Sequence, residues 1–209
     1  MYLGNHDILY HEKKADFKPD NRLVVNFAKY IVDTLNGYFI GNPIKTTHPD
    51  DAVSERMRDI AKRNNQNDNN AELSKLCSIY GHAYEYMYQD EDSNTRVTYI
   101  EPQQAFVIYD DTIAQEPLYG VYVYENEDKK LEGYLYSKHD RRTIETGEGS
   151  LININDDAQE HYFGDVPINE YLENEERQSV FEGVESLINA YNKALSEKAN
   201  DVDYFADAY

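Results

Sequence analysis

Apolar side chains recur at steps of three and four in the first eighty residues, which is the spacing of amphipathic helices. The predicted helices cover residues 21–36, 50–63 and 71–80. Asp20 is expected to cap the first helix and Gly81 to end the third, in line with the preferences of those residue types. Residues 64–70, a run of Asn, Gln and Asp, are predicted to form a solvated turn.

The period of the pattern changes from about four to two after Gly81. Alternating apolar and polar positions indicate half-buried strands, and short polar connections between strands favour antiparallel pairing. The predicted strands cover residues 83–89, 95–100, 105–109, 118–124, 131–137 and 142–145. Residues 147–174 contain several Gly and Pro and are predicted to be loop with short extended pieces.

A long amphipathic helix is predicted over residues 175–209, where Gly183 is the single glycine and there is no proline. Its apolar stripe still continues at the last residue, so we expect the helix to run on into a part of the protein beyond this chain. The stripe comprises Val180, Phe181, Val184, Leu187, Ile188, Tyr191, Leu195, Val202, Phe205, Ala206 and Tyr209.

The order of these elements predicts an α+β fold with N-terminal helices, an antiparallel β-meander and a long C-terminal helix. We expect two parts: an α+β domain over residues 1–174 and the long helix over residues 175–209. The sequence contains no apolar run long enough for a membrane span and no secretory signal at its start. A single cysteine, Cys77, excludes an internal disulfide.

The chain is strongly acidic, with 40 Asp and Glu against 20 Lys and Arg and a net charge of −20. Residues 151–209 alone hold fourteen acidic and three basic residues. Because affinity for nucleic acid comes largely from cations that displace phosphate counterions, this chain as a whole is not expected to grip DNA. Acidity in itself is typical of a soluble protein.

Candidate chemistry is sparse, because the sequence contains no phosphate-binding glycine motif, nucleophile elbow or zinc helix. Asp110 and Asp111, with Glu101 nearby, are the best acid cluster for a Mg²⁺ site, although a hairpin cap is the simpler interpretation. Cys77 on an apolar helix face is interpreted as a buried small hydrophobe. The ladder of Tyr84, Tyr86 and Tyr88 is expected to pack in a core or at a subunit contact rather than to stack bases.

Several segments together resemble the portal proteins of tailed bacteriophages, a large family common in phages of Gram-positive bacteria. No single segment is specific, but their order and spacing cover nearly the whole chain. The segments are YLGNHDI at 2–8, PDNRLVVNF at 19–27, AKYIVD at 28–33, GYFIGNP at 37–43, ELSKLCSIYGHAYE at 72–85, FVIYDD at 106–111, NEER at 174–177 and DVDYFADAY at 201–209.

The resemblance implies a structural, non-enzymatic virion protein without a cofactor or metal. Family members form a ring of about a dozen subunits at one capsid vertex, through which DNA is packaged and later ejected. The implied partners are other copies of the chain, the terminase motor, capsid proteins and head–tail connector proteins, with DNA passing without sequence-specific binding and no membrane involved. The implied location is the virion, and the host cytoplasm during assembly. This chain would cover the wing and a helix approaching the stem, without clip and crown.

Within that interpretation, we expect Phe181, Val184 and Ile188 to pack on the wing while the later half of the helix relies on neighbouring subunits. The candidate oligomer-interface residues are Leu195, Val202, Phe205 and Tyr209. Two other interpretations remain open: an acidic α+β adaptor that docks a helix on a partner, and a metal-dependent hydrolase that uses Asp110, Asp111 and Glu101.

Overall fold

The computed structural model describes residues 1–146 and 152–206. Over these ranges the chain forms an α+β fold, as predicted, with helices, antiparallel sheets and a long final helix. The helices are α1 Phe27–Ile40, α2 Asp51–Arg63, α3 Gln66–Tyr80 and α4 Glu185–Ala206. The strands are β1 His82–Gln89, β2 Thr95–Ile100, β3 Ala105–Tyr109, β4 Pro117–Glu125, β5 Leu131–Tyr136, β6 Asp140–Thr146, β7 Ile152–Ile154, β8 Gln159–Glu160 and β9 Ile168–Leu172.

The strands form two antiparallel sheets rather than one continuous meander. β1 lies at the centre of the first sheet, between β2 and β9, and β3 to β7 follow one another in the second, with β8 on β6. The six predicted strands are confirmed to within two residues at either end. β9 was missed because its neighbours include Gly164 and Pro167, yet it supplies the second partner of β1, in register from His82↔Leu172 to Tyr86↔Ile168.

Among the described residues, three separate apolar clusters hold the fold together. The first lies between the sheets and includes Tyr84, Tyr136 and Ile168. The second joins the start of α1 to α4, and the third places the apolar side of α3 beneath β1. Each cluster is small, so polar contacts between helices and strands also contribute to holding these elements in place.

The first helix begins later than predicted, at Phe27 rather than near Asn21. Asn26, not Asp20, is its N-cap, and the Asn26 side chain accepts a hydrogen bond from Lys29 N. Residues 21–26 are not helical. The helix also continues through Gly37 to Ile40. Periodicity failed here because the apolar residues 23 and 24 belong to a segment whose backbone hydrogen bonds go elsewhere.

The asparagine-rich run at 64–70 was predicted as a turn, but α3 begins within it at Gln66. Asn64 is buried and donates from Nδ2 to Ile60 O and Thr95 O, while its Oδ1 accepts from Val97 N. Only Asn65, with φ of 48°, breaks the helical path. Asparagine is a weak helix former, but the asparagine side chains here form stabilising hydrogen bonds with the backbone of β2.

The final helix begins at Glu185, so the predicted start at residue 175 is wrong. The preceding segment turns at Arg177, which has φ of 54°, and forms a 3-10 helix at Glu182–Val184. This turn packs against Gly81, the predicted end of α3, whose φ is 83°. A Cβ at position 81 would lie 2.0 Å from Arg177 O, so the backbone approach at this point requires glycine.

Glu170 on β9 links both sheets to the turn before α4. Its carboxylate accepts bidentate hydrogen bonds from Arg177, from Nε to Oε1 at 3.0 Å and from Nη2 to Oε2 at 2.9 Å. It also accepts from the hydroxyls of Tyr84 on β1 and Tyr109 on β3. Burial opposes ionisation, but the bonds from Arg177 and Tyr109 outweigh it, and the pKa of Glu170 lies below its usual value near 4.5.

Replacing Gly81 with alanine should destabilise the protein by more than about 2 kcal/mol, since the new Cβ collides with backbone at a positive φ. The matched control is Gly37→Ala, inside α1, where a Cβ meets nothing within 4 Å. That change should be neutral or stabilise by roughly 0.5 kcal/mol. Urea unfolding of both variants checks this, and equal stabilities would contradict the close approach at Gly81.

Replacing Glu170 with glutamine should cost about 2 kcal/mol near neutral pH, because Arg177 loses its buried partner. A carboxyl whose folded pKa is depressed stabilises above its unfolded pKa and loses that contribution as pH falls through the folded value. The difference between wild type and variant should therefore shrink as the pH drops below 4.5.

The control for this pH dependence is Asp16→Asn, which removes an exposed ion pair with Lys13. It should change the stability by less than about 0.5 kcal/mol, because exposed ion pairs contribute little. Thermal unfolding at several pH values measures both, and a Glu170→Gln difference that is independent of pH would refute the assignment.

Candidate functional site

An extended segment, residues 21–25, lies antiparallel along α4, and we call it the strap. Alternate backbone N–H groups of the strap donate to three side chains spaced four residues apart on the helix, which we call the ladder. The bonds run from Val25 N to Asn192 Oδ1 at 2.8 Å, from Leu23 N to Ser196 Oγ at 2.9 Å and from Asn21 N to Asn200 Oδ1 at 2.6 Å.

The two repeats match in length. Two residues of extended chain advance by roughly 6.6 Å, and four residues of α-helix by roughly 6.0 Å. A strand can therefore present every second N–H to every fourth side chain of a helix over a few repeats. The small polar side chains at the ladder positions supply the hydrogen-bond acceptors that a neighbouring β-strand would otherwise supply to an extended segment.

Further contacts hold the strap region on the helix. Lys14 Nζ lies 2.6 Å from Glu197 Oε2, and Asn21 Nδ2 donates to Asp203 Oδ2 at 2.6 Å. At the other end, Asn189 Nδ2 donates to Asp7 Oδ2 at 2.7 Å. The polar side of α4 is thereby occupied along most of its length by the N-terminal part of the chain.

The apolar stripe of α4, in contrast, faces outward over much of its length. Leu187 is 68% exposed, Val202 61% and Phe205 64%. The buried positions of the helix are Ile188 and the three ladder residues. The apolar stripe is therefore not a continuous buried face within this chain: α4 buries a polar row and leaves most of its apolar side chains exposed.

The expected division of the helix holds only in part. Phe181 and Ile188 do pack with Ala28 and Val32 in one cluster. Val184, expected beside them, is 38% exposed. That the half of the helix after residue 195 relies on neighbouring subunits stays a prediction; within the chain, Ser196 and Asn200 of this half accept hydrogen bonds from the strap.

Three of the four candidate interface residues lie in the described part of α4. Val202 and Phe205 are well exposed, while Leu195 is half-buried beside the ladder. Tyr209 lies outside the described residues. The row of asparagine and serine at 192, 196 and 200 was visible in the sequence at helical spacing, and it was missed because the hydrophobic pattern alone was followed.

The acid cluster at residues 110–111 caps a turn, as the simpler interpretation predicted. Asp110 Oδ1 accepts hydrogen bonds from the backbone N–H of Thr112 and Glu116 and from the Thr112 hydroxyl. Glu101 lies beyond the other end of β3, whose five residues span roughly 16 Å. Within residues 1–146 and 152–206, no group of three or more His, Cys, Asp or Glu side chains is placed to hold a metal ion.

The other candidate side chains have structural surroundings. Cys77 is buried against Tyr171 O, and burial raises the pKa of its thiol to about 12, so it is a poor nucleophile. Tyr84 and Tyr86 pack in the core between the sheets, and the Tyr86 hydroxyl lies 2.6 Å from that of Tyr136. A core or subunit contact was the favoured interpretation for Tyr84, Tyr86 and Tyr88; core packing is confirmed for the first two, whereas Tyr88 is 36% exposed.

The fold leaves a helix that is held on its polar side and exposes apolar side chains, a pattern typical of surfaces that contact other proteins. The chain belongs to the phage portal proteins: a family model described as phage portal protein, SPP1 Gp6-like, matches residues 1–209. The resemblance inferred from sequence segments is confirmed. No curated protein matches the chain.

Portal proteins are structural components of the bacteriophage virion and form oligomeric rings. A structural role agrees with the surroundings of Asp110 and Cys77, which are those of a turn cap and a core residue. Among the described helices, none combines the length and apolar character needed to cross a bilayer.

Replacing Asn192 with alanine should destabilise the protein by about 2 kcal/mol, because Val25 N–H loses its acceptor in a site where Asn192 is 0% exposed. The control is Leu187→Ala on the exposed face, which should change stability by less than about 0.5 kcal/mol. Urea unfolding compares the two, and a larger effect of the Leu187 change would show that the outward stripe is in fact buried.

Hydrogen exchange of the strap gives an independent check. The amides of residues 21, 23 and 25 should exchange slowly and those of 22 and 24 faster, since only the former donate to the ladder. In Asn192→Ala, protection at Val25 should fall first. Uniform exchange along the strap in the wild type would contradict the alternating pattern.

Proposed function

We propose that this chain forms the wing of a portal subunit, with α4 leading toward the stem that lines the DNA channel. In this proposal residues 1–174 are the wing domain and residues 175–209 the segment that approaches the stem. The single observation that carries the proposal is the family match over residues 1–209. The assembled ring, at one capsid vertex, is the passage for packaging and ejecting DNA and the docking point of the terminase motor and the tail connector.

The exposed side of α4 supports a role at a subunit boundary. A closed ring needs a heterologous interface, in which two different surfaces of each subunit meet. Leu195, Val202, Phe205 and Tyr209 are our candidates for one of these surfaces. The strap supports the same role, because it fixes the rotation of α4 and so determines which side chains point outward.

The negative charge of the chain is consistent with a channel through which DNA passes. Carboxylates near the lumen would repel the phosphates of DNA, so that DNA slides without sequence-specific binding. Residues 151–209 hold fourteen acidic residues, and eight of these lie in residues 175–209, the segment assigned to the approach of the stem. A map of the complete ring in which these carboxylates face away from the lumen would remove this part of the proposal.

Two other functions have less support. An acidic adaptor that docks α4 on an unrelated partner would use the same exposed stripe, but the family match favours the ring. A metal-dependent hydrolase based on Asp110 and Asp111 is disfavoured, because Asp110 is committed to capping its turn.

The proposal predicts the mass of the protein in solution. At its full natural length the protein should form a ring of about a dozen subunits, and light scattering under native conditions measures this directly. The chain of 209 residues, measured alongside, should be a monomer or small oligomer if the stem supplies much of the contact. A folded full-length protein that stays monomeric would favour the adaptor.

A further inference from the structure

A groove runs beside α3, on the side where α1, α2 and the segment between them approach it. Its first part is a cavity of about 410 Å³, walled largely by apolar side chains that include Leu35, Phe39 and Leu73. Its second part is a cavity of about 550 Å³. Ile44 borders both parts, and along α3 the lining residues extend from Gln66 to Ser78, a rise of roughly 18 Å.

The second part of the groove is basic in a protein that is otherwise strongly acidic. Lys45, Arg58 and Lys62 line it, and no described carboxylate shares that lining. None of the three cations forms an ion pair with the described residues. The groove therefore offers an apolar part and an unpaired positive part, side by side.

The last described turns of α4 carry the complementary pattern. Phe205 is mostly exposed, and Asp201 lies one turn before it on the same side of the helix, since residues four apart are neighbours on a helix surface. Asp201 is exposed and forms no side-chain hydrogen bond or ion pair within the described residues. An aromatic ring and a free carboxylate thus stand about 6 Å apart along the axis.

We propose that residues 201–205 of α4 in one subunit dock in the groove of a neighbouring copy, with Phe205 in the apolar part and Asp201 facing Lys45, Arg58 and Lys62. The occupant is a second copy of this chain, because the two surfaces are complementary in both charge and apolar character. They are also two different surfaces of one chain, as a heterologous contact demands. This inference rests on the proposed ring and names the two sides of its interface.

The neighbouring side chains limit what can bind. The apolar part also contains the carboxylate of Glu173, but that group accepts a hydrogen bond from the Ser78 hydroxyl and lies on the side away from the cations. α4 cannot enter the groove of its own chain, because the strap and the packing of Ile188 against α1 hold it in place. The contact must therefore be made between subunits.

The first test is a charge swap in the full-length protein, with assembly followed by light scattering over a dilution series. Lys62→Glu and Asp201→Lys should each raise the concentration needed for assembly by about tenfold, and the double variant should recover most of the loss. Loss in the single variants without recovery in the double variant would overturn the pairing and would indicate that the groove binds a different anionic group.

The second test compares two adjacent aromatic residues of similar exposure. Phe205→Ala should raise the assembly concentration by roughly thirtyfold, as for a buried anchor residue. Tyr204→Ala is the control: position 204 lies about 100° from position 205 around the helix, Tyr204 is 61% exposed, and the change removes its edge-on contact with Phe205 at 6.0 Å but leaves the Phe205 ring in place. Equal effects of the two changes would contradict the inference, and thermal unfolding of each variant checks that the fold is retained.

The third test is cross-linking in a Cys77→Ala background, which removes the native thiol that borders the groove. Ile44→Cys combined with Val202→Cys, which lies about one turn before Phe205 and leaves that ring in place, should give covalently linked chains on oxidation, whereas Ile44→Cys with Tyr204→Cys should give far fewer. If the protein forms rings but these cross-links fail, the docking inference is wrong and the proposed function stands. If no ring forms at all, the proposed function itself fails.

Discussion

The arrangement of this protein depends on hydrogen bonds between a helix and an extended strap that runs along it. The ladder side chains of α4 accept hydrogen bonds from the backbone N–H groups of residues 21, 23 and 25, which would otherwise lack an acceptor in this contact. These bonds fix the rotation of α4 about its own axis. Once the polar row faces inward, the position of every other side chain on the helix follows from the 3.6-residue turn.

The consequence is a division of the helix surface between two purposes. An amphipathic helix in a single domain usually buries its apolar stripe and exposes its polar side. Here the polar side is used for internal contacts, and Leu187, Val202 and Phe205 are left for contacts outside the chain. Apolar contacts with a neighbouring protein would then not weaken the packing of α4 within its own chain, because the two sets of contacts use different side chains.

Much of the fold followed from local pattern, and the failures have identifiable physical causes. The strands over 95–100 and 105–109 were predicted to the residue, since alternation and turn residues act locally. The start of α1, the helical part of 64–70 and the turn at Arg177 depend on partners far away in sequence. Val25 bonds Asn192, Asn69 bonds Val97, and Gly81 meets Arg177. Hydrophobic periodicity gives no information on such polar pairings, so the outward direction of the α4 stripe was missed with them.

The same structure explains why assembly and folding should be coupled. Three small apolar clusters replace one large core, and α2 contributes no fully buried residue although its apolar side chains are aligned at helical spacing. In the proposed ring, the groove beside α2 and the stripe of α4 would be covered by neighbouring subunits. Burial that is completed only on association stabilises each subunit by mass action. The ladder is then the device that keeps α4 correctly oriented in the free subunit, before any neighbour is present to hold it.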